Sequence, residues 1–363
     1  MAPGARTRPG LPDLIRMPRG GRPLDARVER TWERDGVAGE EVSWSVGFGP
    51  RTRAWLLRPA AATGPLPGAL ALHGHDDFKL LGKEKIADGP DGTCEEVGPV
   101  RAAYGDRAFA NALALQGFAV LVPDVFLWGS RRFDYEAIDA SLRSASHLEW
   151  LRPHLEAASD ARPDEARAGA GSYNRVAALH EDIVERLCRV LGTSLAGVVA
   201  YEDAIALDYL RSRTDRCLGP VAAIGCSGGG ARAALVGATG ASVDVVAVVA
   251  MMSCYRPMVE GHVATHTWML FPPNLAPELD WPDVVLSRAP APLLVQYVLD
   301  DELFPEDGMR AADRMLADRY GALGRPEAYA AQFYDGGHRF DRTMQDAAFE
   351  QIGVFLHRAA GAP

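Results

Sequence analysis

The stretch VAAIGCSGGGARAALVG at 221–237 places a serine between glycines at the end of an apolar run. The run predicts a buried strand over 221–226, and the alanine-rich segment that follows predicts a helix over 228–238. Ser227 therefore lies on a sharp turn from strand to helix. Gly225 and Gly229, two residues before and after it, leave room for a crowded turn. The pattern predicts that Ser227 is a nucleophile.

A serine nucleophile needs a base and an acid, and the chain supplies candidates for both further along. The base takes the proton of the serine hydroxyl, and the acid orients the base and stabilises its charged form. His338, in DGGHRFD, follows the last predicted strand and is the candidate base. Asp300 and Asp301, in VLDDELFP, end an earlier strand. The order serine, aspartate, histidine is that of the α/β-hydrolases.

The two adjacent aspartates are alternatives for the acid. We expect Asp301, because it stands four residues before a proline and DELFP matches the D-x-x-x-P pattern of many hydrolase acid loops. Asp300 is then a carboxylate that ends the strand or caps a turn. For His338 the alternative is a histidine on a surface turn, which the flanking Asp335 and Asp341 also fit.

Acyl transfer also needs two backbone N–H groups aimed at one oxyanion. Gly228, directly after the serine, supplies one candidate, and His75, in the HGHDD loop after a predicted strand over 68–73, supplies the other. A metal-binding role for His73 and His75 is the alternative, but nothing nearby completes a ligand set. HED at 180–182 is not a zinc-protease motif, because valine replaces the second histidine.

Strands and helices alternate along the chain. Strands are predicted over 42–48, 53–59, 68–73, 119–125, 221–226, 243–253, 292–300 and 329–335. Helices are predicted over 106–118, 143–157, 173–190, 194–213, 228–238, 306–322 and 341–358. This alternation predicts the α/β class, with a mainly parallel sheet covered by helices on both faces. Ligands of such sheets bind at the carboxyl ends of the strands.

Two segments interrupt the alternation, at 126–193 and 254–289, and we interpret both as insertions. Each leaves the carboxyl end of a strand, so we expect the two to form a lid or walls over Ser227. Residues 1–40 are interpreted as an N-terminal extension, of which residues 1–25, rich in Pro, Gly and Arg, are expected to be loose or wrapped on the surface. Residues 41–363 are predicted to form a single domain with the α/β-hydrolase fold.

Polar and aromatic residues near the loop after strand 68–73, here called the oxyanion loop (residues 73–79), and in the insertions are candidates for substrate binding. A cationic rim there would attract a carboxylate or sugar-acid substrate, and the alternative is a solvated basic face paired with nearby acidic residues. The aromatic residues either line a pocket or pack the second insertion. The candidates are Lys79, Lys83, Lys85, Trp128, Arg131, Arg132, His262, His266, Trp268 and Phe271.

Composition and charge narrow the choice of partners. The chain has 363 residues, 48% of them hydrophobic, and a formal net charge of −10. Because the net charge is negative, we expect no nucleic-acid partner. No apolar run approaches the roughly 20 residues that span a bilayer, so we expect no membrane association. The basic N-terminus lacks the apolar segment of a secretory signal, and the five cysteines contain no CxxC pair. These features predict a cytoplasmic protein with reduced thiols, and a homo-oligomer stays open.

Several stretches together resemble the dienelactone hydrolase and acetyl xylan esterase branch of the α/β-hydrolases. They are LHGHDDFKLLGKEKIADG (72–89), VFLWGSRR (125–132), GCSGGG (225–230), HTWMLFPP (266–273) and GGHRFD (336–341). The resemblance implies a serine esterase without a cofactor that attacks an ester carbonyl and forms an acyl-enzyme. It makes Ser227 the nucleophile, His338 the base and Asp301 the acid. His75 and Gly228 become the oxyanion donors.

The chain departs from that branch at the nucleophile turn. Dienelactone hydrolases use cysteine as the nucleophile, whereas Cys226 lies one position earlier here and is interpreted as a buried strand residue. Acetyl xylan esterases usually carry glutamine where this chain has Gly228. The serine at the turn favours a simple esterase whose substrate is a small molecule with a small or medium acyl ester, and Gly228 argues against xylan acetyl groups as that substrate. The alternatives are lactone, thioester, amide or carbon–carbon bond cleavage, transacylation, and a catalytically silent ligand receptor.

Overall fold

A nine-stranded sheet organises the molecule. The computed structural model describes residues 10–21, 23–144 and 170–359. The strands are β1 Leu24–Arg34, β2 Val37–Ser45, β3 Thr52–Pro59, β4 Leu66–Leu72, β5 Ala119–Pro123, β6 Cys217–Cys226, β7 Val245–Val249, β8 Leu293–Val298 and β9 Tyr329–Tyr334. They lie in the order β1-β2-β3-β5-β4-β6-β7-β8-β9. Neighbours from β1 to β5 in this order are antiparallel and those from β5 to β9 are parallel, which confirms the mainly parallel sheet.

The centre of the sheet is buried on both faces. Every residue of β5 and β7 is buried. These strands are continuous apolar runs in the sequence, as expected where both faces are covered. β4 pairs with β6 so that Leu72 lies opposite Gly225. The loops that leave β4 and β6 therefore emerge side by side at one edge of the sheet.

Helices cover both faces of the sheet. They are α1 Leu11–Leu14, α2 Gly98–Arg101, α3 Phe109–Leu115, α4 Tyr135–Ser144, α5 Ala170–Val190, α6 Leu195–Ser212, α7 Gly228–Ala238, α8 Tyr255–Val259, α9 Trp281–Leu286, α10 Glu306–Ala322 and α11 Arg342–Ala359. Val221 and Ala223 of β6 pack with side chains of α6, α7, α9 and α10, whereas Ala222 and Ile224 pack with those of α3 and α11. The prediction of helices on both faces is confirmed.

The sheet begins inside the segment that we interpreted as an N-terminal extension, residues 1–40. β1 and the first residues of β2 lie there, so the predicted strand over 42–48 starts earlier, at Val37. Nearly every residue of β1 is exposed, although Leu24, Ala26, Val28 and Trp32 alternate with polar residues as in a strand. Upstream, Ile15 is buried and its carbonyl accepts the hydroxyl of Ser194 at 2.6 Å. The domain boundary at residue 40 therefore divides β2.

The two interruptions of the alternation lie beside the end of the sheet that carries Ser227. Residues 126–193 contain α4 and α5, which pack together through Ile138 and Tyr173. Most of the predicted helix over 143–157 lies outside the described residues. The second interruption, 254–289, contains α8 and α9. In the described part of the chain no single helix meets the length and hydropathy needed to cross a membrane, although α5 and α6 meet them as a pair bent by 86°.

Candidate active site

Ser227 occupies the turn between β6 and α7. Its backbone has φ 56° and ψ −128°, a strained conformation for a residue with a side chain. A Cβ atom at Gly225 would overlap the backbone of Gly229, and one at Gly229 would overlap the carbonyl of Leu72. The backbone N–H of Ser227 donates to the carbonyl of Val249 at 2.9 Å and ties the turn to β7. The glycines are therefore a steric requirement of this turn.

His338 and Asp301 meet beyond the ends of β9 and β8. His338 Nδ1 lies 2.5 Å from Asp301 Oδ2, and Asp301 is 4% exposed. The other carboxylate oxygen of Asp301 accepts the backbone N–H of Leu303 at 3.0 Å. His338 and Ser227 line the same cavity. With Nδ1 held by a buried carboxylate, Nε2 is the imidazole nitrogen left for proton exchange with the serine.

The neighbouring Asp300 makes a different contact. It is exposed, and its Oδ2 accepts the backbone N–H of Gly336 at 2.6 Å, two residues before His338. The structure thus places Asp301 against the imidazole, and Asp300 caps the turn that leads to it. This is the division that the D-x-x-x-P spacing predicted.

The backbone nitrogens of the two predicted oxyanion donors, His75 and Gly228, lie on neighbouring segments beside Ser227. A Cβ atom at Gly228 would lie 2.7 Å from the backbone nitrogen of His75, so these two segments of backbone are in close contact. Among the described residues, neither N–H donates to an internal acceptor. Because α7 begins at Gly228, the field of the helix N-terminus also favours negative charge at this point. The arrangement suits an oxyanion.

A buried lysine holds the loop that carries His75. Asp76 and Asp77 have positive φ values of 56° and 46°, which are uncommon for residues with side chains. Lys85 is fully buried, and its Nζ lies 2.9 Å from Asp76 Oδ2 and 2.5 Å from the carbonyl of Gly74. Burial lowers the pKa of Lys85, and the carboxylate of Asp76 opposes that shift. The loop conformation therefore depends on tertiary contacts.

The cavity beside Ser227 has a volume of about 500 Å³. Its walls come from the oxyanion loop, from α5 in the first insertion and from residues 264–268 in the second. Its lining is predominantly acidic among the charged residues that the structure describes there. These charged residues are Asp76, Asp77, Lys79, Glu181 and Asp182.

Three of the predicted substrate-binding residues line this cavity, namely Lys79, His266 and Trp268. Lys79 Nζ lies 2.5 Å from Glu181 Oε2, so the lysine charge is already paired. His266 Nε2 lies 2.8 Å from the carbonyl of Leu303, and burial lowers the pKa of His266. The imidazole of His266 is therefore neutral near pH 7 and donates this hydrogen bond.

Trp128 and Arg131, two further candidates for substrate binding, are buried and do not line the cavity. Trp128 is 1% exposed, and its indole N–H donates to the carbonyl of His75 at 3.2 Å. Arg131 is 2% exposed and forms an ion pair with a buried glutamate of α6. Lys83 and Lys85 are also buried and paired with carboxylates, so the predicted cationic rim is wrong. A long basic side chain after a strand end can serve an internal ion pair as readily as a binding site.

Glu181 is a highly connected residue of the cavity that sequence reasoning missed. Its Oε2 lies 2.8 Å from His75 Nε2, and its Oε1 accepts the hydroxyl of Thr267 at 3.1 Å. Burial favours the neutral acid, but His75 and Lys79 outweigh it and hold the pKa of Glu181 well below its usual range. The sequence offers Glu181 only within HED. Its partners are 106 and 86 residues away, so no local pattern marks it.

Comparisons with known proteins agree with this architecture. No family model matches the chain. It is 21% identical over 318 residues to "Putative hydrolase YtaP" of Bacillus subtilis (strain 168), with 87% of this chain and 88% of that protein covered.

Three similar solved structures are named as esterases. A "putative acetyl xylan esterase" from Bacteroides fragilis NCTC 9343 has a TM-score of 0.64 at 15% identity, with 89% of this chain and 72% of that chain covered. A glucuronoyl esterase from Solibacter usitatus has a TM-score of 0.60 at 12% identity, with 97% of this chain and 92% of that chain covered. An acetyl xylan esterase from Paenibacillus sp. R4 has a TM-score of 0.53 at 18% identity, covering 92% and 90%.

The chain has the α/β-hydrolase fold. At these identities the likeness establishes the fold, and the chemistry of the site must be argued from its own residues. In α/β-hydrolases the nucleophile sits on a strained turn between a strand and a helix, and its acid and histidine follow later in the chain. Ser227, Asp301 and His338 occupy those places after β6, β8 and β9.

Proposed function

We propose that the protein is a serine hydrolase that cleaves a small or medium carboxylic ester through an acyl-enzyme. The observation that carries the proposal is the contact of 2.5 Å between His338 and the buried Asp301, at a cavity shared with Ser227 on its strained turn. A catalytically silent receptor has no need of an imidazole held by a buried carboxylate at the same cavity as a half-buried serine hydroxyl.

Each step follows from the contacts of the site. Ser227 Oγ attacks the ester carbonyl while His338 Nε2 takes the hydroxyl proton, and Asp301 stabilises the imidazolium. The N–H groups of His75 and Gly228 donate to the oxyanion. Collapse of the tetrahedral intermediate breaks the bond to the alcohol, which takes the proton from His338. A water molecule then attacks the acyl-enzyme by the same route and releases the acid and the free serine.

Thiol chemistry at the turn is disfavoured by the environment of Cys226. Its side chain is buried in the strand, 4% exposed, and burial raises the pKa of the thiol well above its usual value. The thiolate is the nucleophilic form of cysteine, so this residue is inert. Serine chemistry on an ester also agrees with the names of the similar structures, which include acetyl xylan and glucuronoyl esterases. The cavity of about 500 Å³ suits a small molecule.

The test is the turnover of p-nitrophenyl acetate by the wild type and by Ser227→Ala. We expect the wild type to hydrolyse the ester and the variant to lose at least about 10³-fold in kcat/KM, because the remaining oxyanion site and base cannot form an acyl-enzyme. Circular dichroism shows whether the variant is folded. A folded Ser227→Ala variant with wild-type turnover would refute the assignment.

A further inference from the structure

We propose that Glu181 is a positioning residue that holds the oxyanion loop, residues 73–79, in its productive position by binding the side chain of His75. The inference rests on the proposed esterase function. It gives the first insertion a direct part in the reaction, because Glu181 lies on α5 and the oxyanion donor lies on the loop after β4.

The imidazole of His75 is fixed on three sides. Its Nε2 lies 2.8 Å from Glu181 Oε2, and its Nδ1 lies 3.3 Å from Asp77 Oδ1. Its ring meets the ring of Trp128 edge to face, with the centroids 5.1 Å apart. The backbone N–H of His75 belongs to the same residue as this clamped side chain. The direction of that N–H therefore follows from where the imidazole is held.

Of the three residues that contact the imidazole of His75, Glu181 is the charged one that lies outside the oxyanion loop. Its side chain is 7% exposed, and it contacts His75, Lys79 and Thr267 at 2.8, 2.5 and 3.1 Å. Those partners belong to the oxyanion loop and to the second insertion. One buried carboxylate thus joins both insertions to the loop that would stabilise the transition state.

The loop needs such a restraint because its own backbone is strained. Asp76 and Asp77, directly after His75, both have positive φ values. Lys85 and Trp128 hold the carbonyls of Gly74 and His75, and without the further contact from Glu181 to the imidazole, relaxation of Asp76 and Asp77 would turn the backbone N–H of His75 away from the oxyanion. Oxyanion stabilisation depends on donors that are already aimed before the charge develops, so a small misalignment lowers kcat far more than it weakens substrate binding.

The experiment compares the wild type with Glu181→Gln on a neutral acetate ester. We expect kcat to fall by about 10- to 100-fold with KM within about threefold of the wild type, because the loss lies in the transition state. A trifluoromethyl ketone, whose adduct with the serine carries an oxyanion-like oxygen, serves as the second readout. Its affinity should fall by about the same factor as kcat/KM.

Glu185→Gln is the matched control, since Glu185 is a buried carboxylate one turn further along α5. It accepts the backbone N–H of Leu195 at 2.8 Å and the side chain of Arg189 at 2.9 Å. This change removes a charge from the same helix without touching the oxyanion loop. We expect it to lower the melting temperature and to leave kcat and the ketone affinity within about twofold of the wild type.

A double-mutant cycle tests whether Glu181 acts through His75. His75→Gln keeps the backbone N–H and removes the imidazole, so adding Glu181→Gln to it should cost less than about threefold in kcat. If Glu181→Gln does not fold, Glu181→Asp replaces it in both tests. It keeps the charge but is one methylene shorter, and we expect the same direction of change.

The outcomes separate this inference from the proposed function. A wild type that does not hydrolyse the ester overturns the proposed function itself. If the wild type is active and the Glu181→Gln variant keeps its kcat, or differs from the wild type only in KM, the positioning role alone is overturned. Full additivity with His75→Gln, or an equal loss of kcat in Glu185→Gln, overturns it as well.

Discussion

At the residue scale, the reactivity assigned to Ser227 depends on how His338 is held. Asp301 is buried, and one of its carboxylate oxygens contacts the imidazole while the other accepts the backbone N–H of Leu303. Asp300, next to it in the chain, faces solvent and binds Gly336 instead. Two identical side chains therefore have different roles because the end of β8 directs one inward and the other outward.

This division predicts different effects for Asp301→Asn and Asp300→Asn. Asparagine at 301 cannot stabilise an imidazolium and favours the wrong tautomer of His338, so we expect a loss of about 10³- to 10⁴-fold in kcat at pH 7. Asparagine at 300 keeps an oxygen that accepts the N–H of Gly336, so we expect a loss below about fivefold. Steady-state kinetics of both variants check this, and a larger loss at 300 than at 301 would reverse the assignment.

At the element scale, the parts of the fold that could be predicted are those whose apolar residues recur with a clear period. The helices over 228–238 and 306–322 were predicted with the bounds observed for α7 and α10, because their apolar periodicity persists through the whole element. β1 was missed although Ala26, Val28 and Trp32 alternate with charged residues, because residues 1–40 were interpreted as an extension outside the domain. The exposure of β1 shows that such alternation also occurs in an edge strand that buries little surface.

The same reasoning explains which site residues could be predicted. Ser227, Asp301 and His338 stand at the ends of strands, next to glycines and a proline that mark local geometry. The role of Glu181 depends instead on contacts between α5 and two distant loops, which only the tertiary structure brings together. Trp128 and Arg131 were misassigned for the converse reason, because their position after a strand end did not reveal that they are buried.

At the scale of the whole molecule, charge distinguishes between classes of substrate. The chain has a formal net charge of −10, and the cavity is lined by Asp76, Asp77, Glu181 and Asp182. Lys79 is paired with Glu181, so it offers little free charge to a ligand. Asp76 is likewise paired with Lys85, but Asp77 and Asp182 add two further negative charges, so a substrate that carries a carboxylate would meet repulsion both on approach and within the cavity. This argues for a neutral ester in place of the sugar acid that a cationic rim would favour.

A matched pair of esters tests this preference. 4-Acetoxybenzamide and 4-acetoxybenzoate share the acetyl group and differ in one charge on the leaving phenol. We expect kcat/KM to be at least about tenfold higher for the neutral amide, and the ratio to shrink as salt is raised, because salt screens the repulsion. A preference for the anionic ester would show that an unpaired cation faces the cavity.

Covalent labelling by a fluorophosphonate, with the adduct mapped by peptide mass spectrometry, tests the activated serine most directly. The probe requires a nucleophile with a base beside it and an oxyanion site, and it reports on them without knowledge of the natural substrate. We expect one adduct per chain, on Ser227, and no labelling of Ser227→Ala. A folded wild-type protein that takes up no probe, or takes it up at another residue, would contradict the proposal that Ser227 is the catalytic nucleophile.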